Sequence, residues 1–331
     1  MENQDILECH RPAGRVYQVI PGFEGHLARE LGAGLAETWG PLYRTGDDTA
    51  PLVFWFRNIW LDPLRLEFDS VSGAAAALRG IQRNWAPVLF TQFRRGALIG
   101  AKLPPVSTKR RPFPWDLPDV PMGAWTLLDA HTLVASPHCA SPFPGGIMEF
   151  EEDREGPPSR AYLKLWEALT RCRKRPGPGD RCLDAGASPG GWTWALTRLG
   201  AAVTAVDRAP LDPRVSAVTE GAAKAAAEGD ALRPKVDFIR HDAFTLKPED
   251  LGPMDWVFSD VICYPSRLYE WVEKWLASGL CKNFICTIKM QGAPADFETP
   301  RRFAAIPGSQ VVHLHHNKHE LTWIKVERGI T

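Results

Sequence analysis

Four ionisable side chains in the second half of the chain have types suited to handling one proton. They are Lys164 in SRAYLKLWEAL, Asp260 closing WVFSD, Lys289 closing FICTIK and Glu320 opening ELTWIKV. Singly each has a bland explanation, since charged residues at strand ends usually sit in water. Together, two amines and two carboxylates are groups that hold, orient or remove a proton. A second cluster is Leu183-Asp184-Ala185-Gly186-Ala187-Ser188-Pro189-Gly190-Gly191-Trp192, an apolar run entering a glycine-rich turn and then a helical pattern. Glycines there let the backbone approach a ligand, and the open amides of a helix start favour electronegative groups. About twenty residues on, Asp207 ends the next apolar run, where an acidic side chain can accept both hydroxyls of a ribose. His241-Asp242 ends the third run and places another carboxylate where an adenine would lie.

The elements that must position these groups are strands alternating with helices from about residue 160 on, the signature of a parallel doubly wound sheet. Strands are predicted at 181–185, 202–207, 236–242, 255–261, 283–290, 310–316 and 320–327, and helices at 191–199, 213–229 and 266–278. Only a few residues separate the last two strands, which forbids a helical crossover and makes the final strand antiparallel. In a sheet ordered 3-2-1-4-5-7-6, the ends of strands four and five and the start of the last share one edge. Asp260, Lys289 and Glu320 therefore converge beside the crevice, and Lys164, in the helix before strand one, completes the group. The expected fold class is α/β, a Rossmann-like seven-stranded sheet with its last strand antiparallel, preceded by a smaller N-terminal α+β domain. Proline-rich sequence between Pro104 and Pro158 sets the boundary, giving domains 1–150 and 151–331 and reading as irregular connection around one short strand, WTLLDAHTLVAS. Ahead of it, VYQVIP and LVFWFR are predicted strands with a helix, GFEGHLARELGAGLAE, between them.

A dinucleotide needs G-x-G-x-x-G, but the spacing here is G-x-x-x-G-G, with Ser188 where the second glycine would admit a pyrophosphate. A P-loop is absent too. S-adenosylmethionine has a ribose and an adenine without phosphates and suits the looser turn, and six parallel strands plus one antiparallel strand is the arrangement of the Rossmann-like methyltransferases. The candidate cofactor residues are Asp184, Gly186, Ser188, Pro189, Gly190, Gly191, Trp192, Asp207, Asp242 and Asp260. Amino-group methylation usually shows Asn-Pro-Pro-Tyr or Asp-Pro-Pro-Tyr after strand four, whereas this chain has Asp260-Val-Ile-Cys-Tyr-Pro265. Ile262 stands where the Pro-Cys pair of carbon-5 pyrimidine methylation would have proline. Trp192, Trp194, Trp271 and Trp275 fall at helical spacings that suit core packing.

The chain resembles the FtsJ-like RNA ribose 2′-O-methyltransferases, whose catalytic tetrad is Lys-Asp-Lys-Glu. The resemblance is carried by SPFPGGIMEF, PSRAYLKLWEAL, LDAGASPGGWTWAL, VFSDVICYPSRLYEWVEKWLASGLCKNFICTIKM and HHNKHELTWIKV, over about residues 137–327. Within the family it is strongest to enzymes acting on large-subunit (23S) ribosomal RNA. It implies a catalytic tetrad of Lys164, Asp260, Lys289 and Glu320, S-adenosylmethionine as cofactor and large-subunit ribosomal RNA as partner. It also implies a shortened THUMP-like RNA-binding region within residues 1–150, IPGFEGHLAREL resembling the opening of a ferredoxin-like module. In such chemistry Lys289 is the candidate base for a 2′-hydroxyl, Asp260 orients, and Glu320 holds a lysine or a ribose hydroxyl. Burial and the charge of Lys164 lower the Lys289 pKa while the carboxylates raise it, leaving the sign open. The competing classes are an RNA-binding protein that keeps the fold without catalysis and a methyltransferase of a non-RNA hydroxyl.

Composition narrows the field without deciding it. The 331 residues suit about two domains, and Lys plus Arg (39) equals Asp plus Glu (39), so bulk charge attracts no particular partner. RNA contact must come from local patches, namely Arg94–Arg111, with six positive and no negative side chains, and Arg171-Cys172-Arg173-Lys174-Arg175. Phe113 and Trp115 could stack on unpaired bases there. Seven cysteines without a C-x-x-C pair argue for reduced thiols in a cytoplasm and against a zinc site, and His313 and His315, on one strand face, lack a cysteine partner. No metal is expected, and neither a signal peptide nor a membrane span is evident.

Overall fold

The computed structural model describes residues 6–49, 52–117, 119–215, 235–291 and 296–327. The chain divides into two compact units, residues 1–111 with 117–149, and residues 112–116 with 150–331.

The first unit is α+β. Its strands are β1 (Ile6–His10), β2 (Val16–Val19), β3 (Leu35–Trp39), β4 (Leu42–Thr45), β5 (Phe56–Trp60), β6 (Leu64–Phe68), β7 (Trp85–Pro87), β8 (Gly123–Leu127) and β9 (Thr132–Ser136). They form a four-stranded sheet, β3-β4-β2-β5, and a five-stranded one, β1-β6-β9-β8-β7. Three expectations are corrected here. The helix begun at Glu24 ends at Leu31, because Gly32, at φ +52°, turns the chain out of it, and Leu35–Trp39 becomes a strand against β4. In LVFWFR the amides of Phe54 and Trp55 donate to the buried Glu30 carboxylate at 2.9 and 3.0 Å, so the ladder starts only at Phe56. WTLLDAHTLVAS is a hairpin rather than one strand: the Asp129 carboxylate accepts the amides of His131 (2.8 Å) and Thr132 (2.9 Å) and bends the chain between β8 and β9. Two helices that periodicity did not reveal, Val71–Ile81 and Phe93–Gly100, put Ala75, Leu78 and Ile99 into the core with Trp85 and Trp125.

Residues 112–116 were expected with the first domain but pack in the second unit. Phe113 stacks on Trp166 (centroids 4.6 Å apart, planes at 11°), and the Arg175 guanidinium reaches Asp116 at 2.6 Å.

In the second unit the sheet comprises β10 (Arg181–Ala185), β11 (Ala202–Asp207), β12 (Val236–Arg240), β13 (Trp256–Ser259), β14 (Asn283–Lys289), β15 (Ser309–Val312) and β16 (Glu320–Lys325). Their order is β12-β11-β10-β13-β14-β16-β15, and only β16 runs antiparallel to its neighbours. The central strands β13 and β14 are buried along nearly their whole length, as expected of a sheet covered on both faces. Helices Tyr162–Cys172, Gly191–Arg198 and Pro265–Ser278 provide that cover, with Trp275 and Leu268 fully buried. Strands three and four stop short of the expected bounds, so Asp242 and Asp260 stand in the loops just beyond the ladder. From residue 216 on, the helix expected at 213–229 lies outside the described residues. β15 ends at Val312, so His313 and His315 do not share a strand: the Glu167 carboxylate accepts the amides of His315 (2.9 Å) and His316 (3.2 Å) and draws the chain off the sheet.

Candidate active site

A cavity of about 530 Å³ opens at the carboxyl ends of β10 to β14. Nine of the ten expected cofactor residues line it: Asp184, Gly186, Ser188, Pro189, Gly191, Trp192, Asp207, Asp242 and Asp260. The tenth, Gly190, shapes the turn from behind. It has φ +112°, and a Cβ there would meet Val215 at 2.9 Å. Two lining glycines are tighter still: a Cβ on Gly191 would lie 2.4 Å from the Ser159 hydroxyl oxygen, and one on Gly186, at φ +81°, 2.6 Å from Val261, so a side chain at Gly186 would crowd the floor of the cavity.

Each carboxylate of this cavity is held differently. Asp184 is almost fully buried and accepts the Thr193 hydroxyl at 2.6 Å. Burial pushes its carboxyl up to about 7, the Thr193 hydrogen bond opposing and the Asp260 charge adding to the rise. Asp207 accepts the Ser188 amide on one oxygen (2.9 Å) and the Ala209 amide on the other (2.9 Å), which fixes its plane and leaves a lone pair on each oxygen. Asp242 pairs with Arg208 and with Arg267 (3.0 Å) and accepts the Phe244 amide at 3.1 Å. Burial raises its carboxyl, but Arg208, the Phe244 amide and Arg267 outweigh that and hold it below the ordinary range. Trp192 lines the cavity with its indole N–H donated to the Ala161 carbonyl at 2.8 Å.

Sequence reasoning missed Arg208, Phe244, Ile262 and Arg267, which also line this space. The signal for Phe244 was the apolar pair directly after Asp242. The Arg267 guanidinium lies 5.1 Å from the Phe244 ring centroid, a pairing that no local pattern announces.

The four proton-handling side chains meet at the rim. Lys289 and Glu320 are direct cross-strand partners in β14 and β16, which is why they face one another. Lys289 Nζ donates to Asp260 Oδ1 at 2.7 Å and to Glu320 Oε2 at 2.6 Å. Lys164 Nζ donates to both Asp260 oxygens at 2.8 Å and to Glu320 Oε1 at 2.9 Å. Each carboxylate therefore touches both amines. Lys289 and Asp260 face the cavity, while Lys164 and Glu320, each 8% exposed, stand behind them. Burial pulls the Lys289 ammonium down, but Asp260 and Glu320 outweigh it and the net shift is upward. Burial likewise raises Glu320, and the two lysines reverse it to a net lowering. The sign left open by the sequence is thus upward for Lys289. Glu167, one turn after Lys164 on the same helix, ties down the loop before β16, and Asn317 donates to the Glu320 carbonyl at 3.1 Å.

Other candidates are engaged elsewhere. Arg171 pairs with Glu167 (3.1 Å), Lys174 bonds Asn283 (3.1 Å) and the Glu327 carbonyl (3.0 Å), and Arg175 pairs with Asp116, so 171–175 is mainly a structural clamp. Phe113, stacked on Trp166, is likewise withdrawn from the role of a base platform. Arg94, Lys102, Lys109 and Arg110 remain exposed. His313 Nε2 lies 2.9 Å from the Lys318 carbonyl. Among the described residues no group of His, Cys, Asp and Glu could hold a metal ion, and no helix is long and apolar enough to cross a membrane.

Residues 157–292 match the model of the FtsJ-like methyltransferase family. Three proteins named Ribosomal RNA large subunit methyltransferase M are similar over longer stretches. That of Laribacter hongkongensis is 29% identical over 284 residues, covering 81% of this chain and 70% of its own. That of Xanthomonas oryzae pv. oryzae is 33% identical over 244 residues (71% and 60%), and that of Aromatoleum aromaticum 32% over 204 residues (57% and 50%). The chain thus spans between 50% and 70% of the length of these relatives.

Proposed function

We propose that the chain is an FtsJ-like methyltransferase, a reading supported by the match over residues 157–292, and that it transfers a methyl group from S-adenosylmethionine to a ribose 2′-hydroxyl of large-subunit ribosomal RNA, in the cytoplasm. The observation that carries this reading is the quartet of Lys164, Asp260, Lys289 and Glu320 at the rim of a cavity that nine of the ten expected cofactor residues line.

The cavity fits the cofactor on its own evidence. The bare Gly186 floor leaves space where any side chain would intrude, Asp207 has free lone pairs for a ribose diol, and Asp242 keeps one lone pair on Oδ1 beside the apolar Phe244. When bound, S-adenosylmethionine supplies an electrophilic methyl on a sulfonium.

The residues of this chain would do the rest. A 2′-hydroxyl is a poor nucleophile, so its proton must leave as the oxygen attacks, and a group in hydrogen-bond reach must take it. Lys289 Nζ is the amine that faces the cavity, held between Asp260 and Glu320, and in neutral form it would accept that proton. Its raised pKa makes ammonium the resting form near neutrality. Lys164, donating to the same two carboxylates, offsets part of their pull on Lys289 and keeps both oriented. Asp260 also borders the cavity and would orient the acceptor. Exposed Arg94, Lys102, Lys109 and Arg110 would contribute phosphate contacts and a salt-dependent affinity.

The test supplies methyl-labelled S-adenosylmethionine and protein-free large-subunit RNA, then digests the RNA to nucleosides. Label should appear in a 2′-O-methyl nucleoside, and should reach protein-free RNA better than assembled subunits. Label only in base-methylated nucleosides would overturn the reading.

A further inference from the structure

Between Asp260 and the helix that begins at Pro265, exposed and buried residues alternate from Ile262 to Pro265, and Tyr264 is extended. Cys263 and Pro265 point inward and are buried. Ile262 and Tyr264 point outward, 76% and 63% exposed, the two most exposed large apolar side chains among the described residues. Leaving two such groups in water at adjacent outward positions forgoes the burial that apolar surface favours, and paired exposure of this kind marks a contact surface. Its place says what makes the contact: Ile262 lines the cavity that Asp260 and Lys289 border.

We propose that Tyr264 and Ile262 form the seat of the acceptor nucleotide, Tyr264 stacking on its base and Ile262 packing against its sugar. The proposal rests on the ribose-methylation reading and deepens it. A 2′-hydroxyl brought to Lys289 belongs to a sugar whose base hangs from the neighbouring carbon, so the base must come to rest beside this rim. An unpaired base offers a flat face on which an exposed aromatic stacks whatever the base, and single-stranded RNA is the form in which bases are free to do so. The seat therefore selects for an unpaired nucleotide rather than for one base, and it uses the tyrosine ring, not its hydroxyl.

The experiment measures methyl transfer to protein-free large-subunit RNA across RNA concentrations for the parent chain, Tyr264→Ala, Tyr264→Phe and Ile262→Ala. Tyr264→Ala should lower kcat/KM by about 10–100-fold, the effect of removing one base-stacking ring, with cofactor affinity by calorimetry and melting temperature unchanged. Tyr264→Phe should stay close to the parent, and Ile262→Ala should fall between. Parent-like kinetics for Tyr264→Ala, with the parent active, would overturn the proposal alone and leave the pair to a protein surface. Equal loss in the Phe and Ala variants would also overturn it, by assigning the effect to the hydroxyl. A parent chain that labels no ribose would remove the function reading and the proposal together.

Discussion

Two ionic clusters border the same cavity, and they differ in burial. In the quartet, the side chains of Lys164, Glu320, Lys289 and Asp260 are 9, 10, 15 and 16% exposed. In the other, Arg208 and Arg267 flank Asp242 while remaining 71 and 48% exposed. Taking charges out of water costs several kcal/mol per ion, and mutual attraction recovers that only with good geometry, so apolar groups would stabilise the same space at least as well. An exposed cluster carries little such cost and contributes little to stability. The difference fits the proposed function, in which the charges of the quartet would act on a reacting group while the arginines hold one carboxylate in place.

The comparison is broken most strongly at Lys164. Lys164→Met leaves Asp260 and Glu320 each short of a partner in a desolvated site and should cost about 3 kcal/mol or more, read from the midpoint of chemical unfolding. A variant as stable as the parent would mean that the quartet is solvated like its neighbour. Next comes Lys289→Ala, expected to slow methyl transfer about 100-fold or more, as for a lost general base, with cofactor affinity nearly unchanged. The pH profile sharpens the same point. A base with a raised pKa is in its neutral form in a fraction that grows about tenfold per pH unit below that pKa, so the parent rate should climb from neutral into alkaline pH. A rate flat across that range would place the base elsewhere. A smaller effect belongs to Asp207→Ala, which should weaken S-adenosylmethionine binding by about 1.5–3 kcal/mol without unfolding the chain; unchanged calorimetric affinity would remove Asp207 from the ribose site. Smallest is Arg208→Ala, which breaks an exposed pair and should change stability by less than about 1 kcal/mol. A loss as large as that of Lys164→Met would erase the distinction between the clusters.

The grouping of the four candidate side chains was legible because they stand at or near element ends. Once seven strands and a closing hairpin are read from the alternation, the chain order alone carries Asp260, Lys289 and Glu320 to one edge, and the β14–β16 register sets Lys289 opposite Glu320. What stayed hidden depends on contacts distant in sequence. Arg267 reaches Asp242 across 25 positions, and its guanidinium lies over Phe244, which no local pattern encodes. The β8–β9 hairpin was obscured by the prolines around it, although its turn rests on the single carboxylate of Asp129. Phe113 read as a free aromatic in a basic segment until Trp166 supplied its partner. The direction of the Lys289 shift required distances, since burial and two carboxylates act oppositely on it.

The most direct measurement follows from the claim that the acceptor is a ribose hydroxyl. After the modified nucleotide has been mapped, RNA carrying a single 2′-deoxy substitution at that position is compared with unsubstituted RNA, using labelled S-adenosylmethionine and the same enzyme preparation. The quartet at the rim predicts full labelling of the unsubstituted RNA and none of the deoxy form. Equal labelling of both would show that the methyl group goes to a base, and would contradict the assignment of Lys164, Asp260, Lys289 and Glu320 to transfer on a 2′-hydroxyl.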